Sequence, residues 1–136
     1  MTAKLSALDR EKLYTDFLRA EGYRPDPEMD GAVTFEKGER FFYMPVTEDP
    51  DFFIITLPMV GLAINDATGA ACRRAMNQVT AESRVAKGCY NHETKEACIN
   101  IELFCDPAEA FKSVFGRCIA ELEAAHERFN KAMKEA

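Results

Sequence analysis

Tryptophan is absent from this 136-residue chain, and histidine is limited to His92 and His126. A zinc-type centre needs His, Cys or carboxylates at recurring short spacing. Cys89 and His92 stand three apart and Cys98 is placed to face Cys89 across a hairpin. There is no C-x-x-C, however, and the partner strand supplies no second His. Nucleophilic catalysis needs a Cys or Ser beside a base that a third group orients. His92 falls in a hairpin loop, and His126 falls late in the final helix, where it reads as a half-exposed interface residue. Glycine is also sparse: Gly61, Gly69 and Gly88 form neither a G-x-G-x-x-G nor a P-loop, and no βαβ unit frames them. Acidic residues number 23, but nothing singles out an acid–base pair. The expectation is a noncatalytic protein with no metal and no cofactor.

Positive charge is in short supply as well. Lys and Arg total 17, leaving a net charge of −6 and a pI near 5.0. A nucleic-acid backbone demands clustered basic residues, so nucleic acid is not the expected partner. Arg73, Arg74, Arg84 and Lys87 make the one basic neighbourhood, read as a solvated helix face and strand end. No hydrophobic run is long enough for a membrane span: the longest uncharged stretch is Phe52 to Asn65, against about 20 residues needed. No N-terminal segment resembles a signal peptide. The five cysteines are therefore read as free thiols in a reducing cytoplasm. A content of 47% hydrophobic and 29% charged residues fits a globular chain. Residues 1–136 are expected to form one domain with an ordinary core.

Ser6 to Asp9 has the form of a helix start. The helix is expected to reach about Glu21, with Leu13, Tyr14, Phe17, Leu18 and Ala20 on its apolar face and Gly22 ending it. Pro25-Asp26-Pro27 carries the chain to a turn signal at Asp30-Gly31. Ala32–Glu36 and Glu39–Val46 read as strands joined at Lys37-Gly38. Pairing Glu36 with Glu39 puts Val33, Phe35, Phe42 and Met44 on one face, while Phe41 and Tyr43 occupy the other. Phe52–Leu57 is apolar on both faces, which predicts at least partial cover over each side of the sheet. Asn65 or Asp66 caps a second helix to about Ala81, with Thr68, Ala71, Cys72, Ala75, Met76 and Val79 buried. Val85–Tyr90 and Ala97–Phe104 form a second hairpin around residues 92–95, with Ile99, Ile101 and Leu103 inward. The order α-β-β-β-α-β-β-α predicts an α+β fold on an antiparallel sheet, closed by a long C-terminal helix.

That last helix opens with a capping Asp106, Pro107 at its first position and Glu109 three residues after the cap. Phe111, Val114, Phe115, Cys118, Ile119, Leu122, Ala125, Phe129 and Met133 fall within an arc of roughly 140°. Read as one helix, residues 106–135 span about 45 Å, against an expected diameter of about 37 Å for a compact chain of this length. The overhang predicts a dimer interface at Leu122, Ala125, Phe129 and Met133.

The same element order resembles the fold of type III secretion chaperones and of the related YbjN family of small bacterial proteins. Locally the chain is similar to the YbjN pattern at Phe17-Leu18 through Glu21-Gly22-Tyr23, at Ala75-Met76-Asn77 and at Val85-Ala86-Lys87. Asn77 and Lys87 are the positions to watch. The resemblance implies a noncatalytic, often dimeric protein that presents a sheet or helix surface to other polypeptides. Phe41, Tyr43, Phe53 and Ile55 are the expected anchors for an extended protein client or regulatory partner, bound by a cytoplasmic homodimer. The competing expectation is a small-molecule-binding or redox-responsive regulatory domain acting through Cys89 and Cys98.

Overall fold

The computed structural model describes residues 4–26, 31–59 and 64–135, the Asp66 side chain excepted. The turn signal leading up to Gly31 falls on 27–30, outside the described residues. The elements are α1 (Ala7–Ala20), β1 (Ala32–Lys37), β2 (Arg40–Pro45), β3 (Phe52–Pro58), α2 (Asp66–Glu82), β4 (Lys87–Asn91), β5 (Glu96–Phe104) and α3 (Phe111–Glu135). The strands form one antiparallel sheet in the order β1-β2-β3-β5-β4. This is the α+β architecture and element order expected. None of the described helices is long and apolar enough to cross a membrane.

The chain divides into two compact units, residues 1–55 with 102–116 and residues 56–101 with 117–136. In the first unit, the Ser6 hydroxyl accepts the Asp9 N–H at 3.1 Å and starts α1. Gly22, at φ +93°, follows its end, where an L side chain would be strained. The β1–β2 hairpin pairs Lys37 with Arg40, Phe35 with Phe42 and Val33 with Met44. Its turn is therefore Gly38-Glu39, not Lys37-Gly38, and Gly38 supplies the positive φ of 63° that tight hairpin turns require. The register differs from the expected one by two residues. An even slip preserves side-chain parity, so Val33, Phe35, Phe42 and Met44 still share the buried face.

That face meets α1 and the start of α3 through rings. Phe111 lies 4.9 Å from Tyr14, 5.0 Å from Phe17 and 5.4 Å from Phe53 between centroids. Phe115 packs against Phe17, Tyr23 and Phe35. Arg10, outside the apolar face expected of α1, is nevertheless only 2% exposed. Its guanidinium donates to the carbonyls of Thr47 at 2.6 Å and Asp49 at 3.2 Å, pinning the β2–β3 loop to the helix. Ala20, assigned to the apolar face, is exposed.

In the second unit, Asn65 and Thr68 form a reciprocal capping box at the start of α2. Cys72, Ala75, Met76 and Val79 are buried, whereas Thr68 and Ala71 are half-buried. The helix approaches β4 closely. A Cβ on Gly88 would stand 2.6 Å from the Met76 carbonyl oxygen, and one on Gly69 would stand 2.6 Å from the Tyr90 hydroxyl. The Thr80 hydroxyl donates to the Met76 carbonyl and accepts the Gly88 N–H at 2.8 Å, closing part of the outer edge of β4.

The start of α3 differs from expectation. Residues Ala108–Ala110 form a 3-10 turn with no side-chain cap, and the α-helix begins at Phe111. Asp106 does not cap it; its carboxylate pairs with Lys4 at 2.7 Å instead, while Lys4 also reaches Asp51 at 2.8 Å. The helix is therefore about 37 Å long rather than about 45 Å.

Candidate functional site

Alternation along β2, β3 and β5 sorts the apolar residues of the first unit onto two faces. Phe42, Met44, Phe53 and Ile55 point into the core, each at most 1% exposed. Phe41, Tyr43, Phe52 and Ile54 point the other way and are half-buried. Phe104, on the same side, is 78% exposed and meets Phe52 at 5.4 Å between centroids. Helices α1 and α3 make their ring contacts with the opposite face. The result is an apolar strip of five side chains with water access, flanked by the exposed carboxylates Glu36 and Glu102. A recess of about 480 Å³ borders Phe41 and is walled by Tyr23, Arg24, Asp26, Thr34 and Glu36.

Each expected site residue has a definite place in this arrangement. Phe41 and Tyr43 lie on the accessible face. Phe53 and Ile55 do not join them: they sit one residue out of phase with Phe52 and Ile54 and belong to the core. Phe52, Ile54 and Phe104 complete the accessible face and lie outside the expected set. The signal was present, because an inward Ile99, Ile101 and Leu103 places Phe104 outward by parity. The expected dimer stripe is largely consumed within the chain. Leu122 and Ala125 are fully buried, Phe129 is 1% exposed, and only Met133 is half-exposed. In the same unit, Ala132 and Glu135 border a shallow recess with Ala71, Arg74, Ala75 and Gln78 of α2, and Arg128 donates to the Ser83 hydroxyl at 3.0 Å. Asn77 on α2 and Lys87 at the head of β4 are both exposed.

The second unit carries polar and thiol chemistry on β4 and β5. Cys89 and Cys98 are direct cross-strand partners. The Asn100 amide donates to the Cys89 sulfur at 3.4 Å. Burial, then the neighbouring Cys89, push the Cys98 thiol up to about 11. Both cysteines line a recess of about 600 Å³ that Pro58, Met59, Tyr90 and Lys95 also border. Cys72, Cys105 and Cys118 are buried, and burial raises the thiols of the first two above their ordinary value. Among the described residues, no group of three or more His, Cys, Asp or Glu is placed to hold a metal ion. No family model, curated protein or solved structure matches the chain.

Proposed function

We propose that this protein is a noncatalytic polypeptide-binding module whose docking surface is the outer sheet face of its first unit. The observation that carries the reading is Phe104, a large ring left 78% exposed in line with half-buried Phe41, Tyr43, Phe52 and Ile54. An exposed apolar strip costs solubility unless a partner covers it. Its carboxylate flanks and the net charge of −6 favour an extended segment with apolar side chains between Lys or Arg residues. This is the kind of work that the resemblance to secretion chaperones and YbjN proteins implies. Pairing of two copies lacks a comparable carrier, because Leu122, Ala125 and Phe129 are already buried inside the chain. The occupant proposed is therefore a segment of another polypeptide.

Panning a displayed peptide library against the wild type and the Phe41→Asp, Tyr43→Asp variant tests the reading. Enrichment of apolar peptides with basic flanks by the wild type, lost in a folded variant, supports it. Identical enrichment by both proteins, or none by either, contradicts it. A mass that doubles on sizing for the wild type alone would replace the proposed segment with a second copy.

A further inference from the structure

Cys89 and Cys98 form a pair whose backbone geometry follows from two hydrogen bonds. The Gly88 N–H donates to Thr80 and therefore points away from β5. The Ala97 carbonyl accepts from Met59 at 2.9 Å and therefore points away from β4. In an antiparallel ladder successive residues turn their N–H and C=O groups to alternate sides. Cys89 follows Gly88 and Cys98 follows Ala97, so both turn their backbones toward each other. They are a hydrogen-bonded pair, for which the Cα atoms stand about 5.5 Å apart. That separation lies inside the roughly 4.4–6.8 Å window of disulfides. The Cβ atoms, about 5.5 Å apart in such a pair, must draw together by about 1 Å to bond, which leaves the bond readily reduced. Both side chains leave the hairpin on the same side, Cys89 exposed and Cys98 half-buried.

We propose that Cys89 and Cys98 are a reversible dithiol site that takes low-molecular-weight disulfides such as oxidised glutathione. The exposed Cys89 reacts first. Its thiolate attacks one sulfur of the glutathione disulfide, forming a mixed disulfide and expelling one glutathione thiolate, which takes up a proton. Cys98 then gives up its proton and attacks the Cys89 sulfur, closing the cross-strand bond and releasing the second glutathione. Two protein thiols are oxidised, one external disulfide is reduced to two thiols, and reduced glutathione reverses both steps. Asn100 steadies the Cys89 sulfur for the first step. The raised Cys98 thiol stays protonated at neutral pH, which assigns it the second step. Cys72, Cys105 and Cys118 are buried and take no part.

The test equilibrates the folded full chain in glutathione buffers of graded ratio, then alkylates and digests it. The expected product is a disulfide joining peptide 88–95 to peptide 96–112, with loss of two alkylation sites and Cys72, Cys105 and Cys118 fully alkylated after unfolding. The Cys98→Ser variant should accumulate a single glutathione adduct on Cys89, and Cys89→Ser should stay unmodified. Full alkylation of both cysteines in the wild type under conditions that modify Cys98→Ser overturns the proposal. So does failure of either protein to react, or a bond that uses another cysteine or another copy of the chain. The Cys89 and Cys98 readings involve the second unit alone and are unaffected by loss of peptide binding at Phe41 and Tyr43.

Discussion

Nine of the ten phenylalanines fall in the first unit and four of the five cysteines in the second. The division is physical as well as compositional. The first unit fills its core with interlocking rings from α1, the sheet and the start of α3, and has rings left over for its outer face. The second packs small and aliphatic residues, with Cys72, Ala75 and Val79 on one helix face and glycines where α2 meets β4. Large flat side chains tolerate a range of contacts, so surplus ones suit the polypeptide docking proposed for that face. Close-packed small residues leave little surplus, and the outer strands of that unit carry thiols and an amide instead.

Breaking the ring core should have the largest effect. Phe111→Ala removes a fully buried ring shared by Tyr14, Phe17 and Phe53 and should cost about 3–5 kcal/mol in urea unfolding. The tight approach in the second unit should break in the opposite way, by overpacking. Gly88→Ala meets the Met76 backbone and should cost about 1–3 kcal/mol. Gly116→Ala, exposed on α3 with nothing within 4 Å of the added methyl, should stabilise by up to about 1 kcal/mol. Arg10→Met removes two hydrogen bonds from a buried cation and should cost about 1.5–3 kcal/mol, with faster amide exchange across residues 47–51.

Phe104→Ser should change stability by no more than about 0.5 kcal/mol, because the ring is largely in water already. It should nevertheless weaken binding of library-selected peptides at least tenfold. Alkali sharpens the comparison from the thiol side. Cys98 holds its proton more tightly folded than unfolded, since burial raises it to about 11 from an ordinary 9.0. Its contribution to stability is complete below about pH 9 and is lost as pH rises through about 11. Urea midpoints should fall across that window, less steeply in Cys98→Ser.

Much of the fold was legible in the sequence, whereas its split into two compact units was not, and the departures have particular causes. The buried set Val33, Phe35, Phe42 and Met44 survived a wrong turn because parity tolerates a two-residue slip. The facing of Cys89 and Cys98 followed from hairpin spacing alone. Arg10 falls outside an apolar pattern because arginine counts as solvent-facing, although it lies one helical repeat before Tyr14 and two before Leu18 on the buried stripe. Asp106 looked like a cap, but two nearer claims decide its place: a salt bridge to Lys4 and a 3-10 turn ahead of the helix. Phe53 and Ile55 look equivalent to Phe52 and Ile54 in the sequence because β3 is apolar on both sides. Only the orientation of β3 in the sheet tells Phe52 and Ile54 from their neighbours.

The most direct test of the open-face account is an NMR titration of the labelled protein with a peptide of alternating apolar residues flanked by lysines. Saturable shifts clustered at Phe41, Tyr43, Phe52, Ile54 and Phe104, with Cys89 and Cys98 unmoved, are the predicted result. Shifts confined to the second unit, or a spectrum unchanged by peptide, would contradict the assignment of that face as the docking surface.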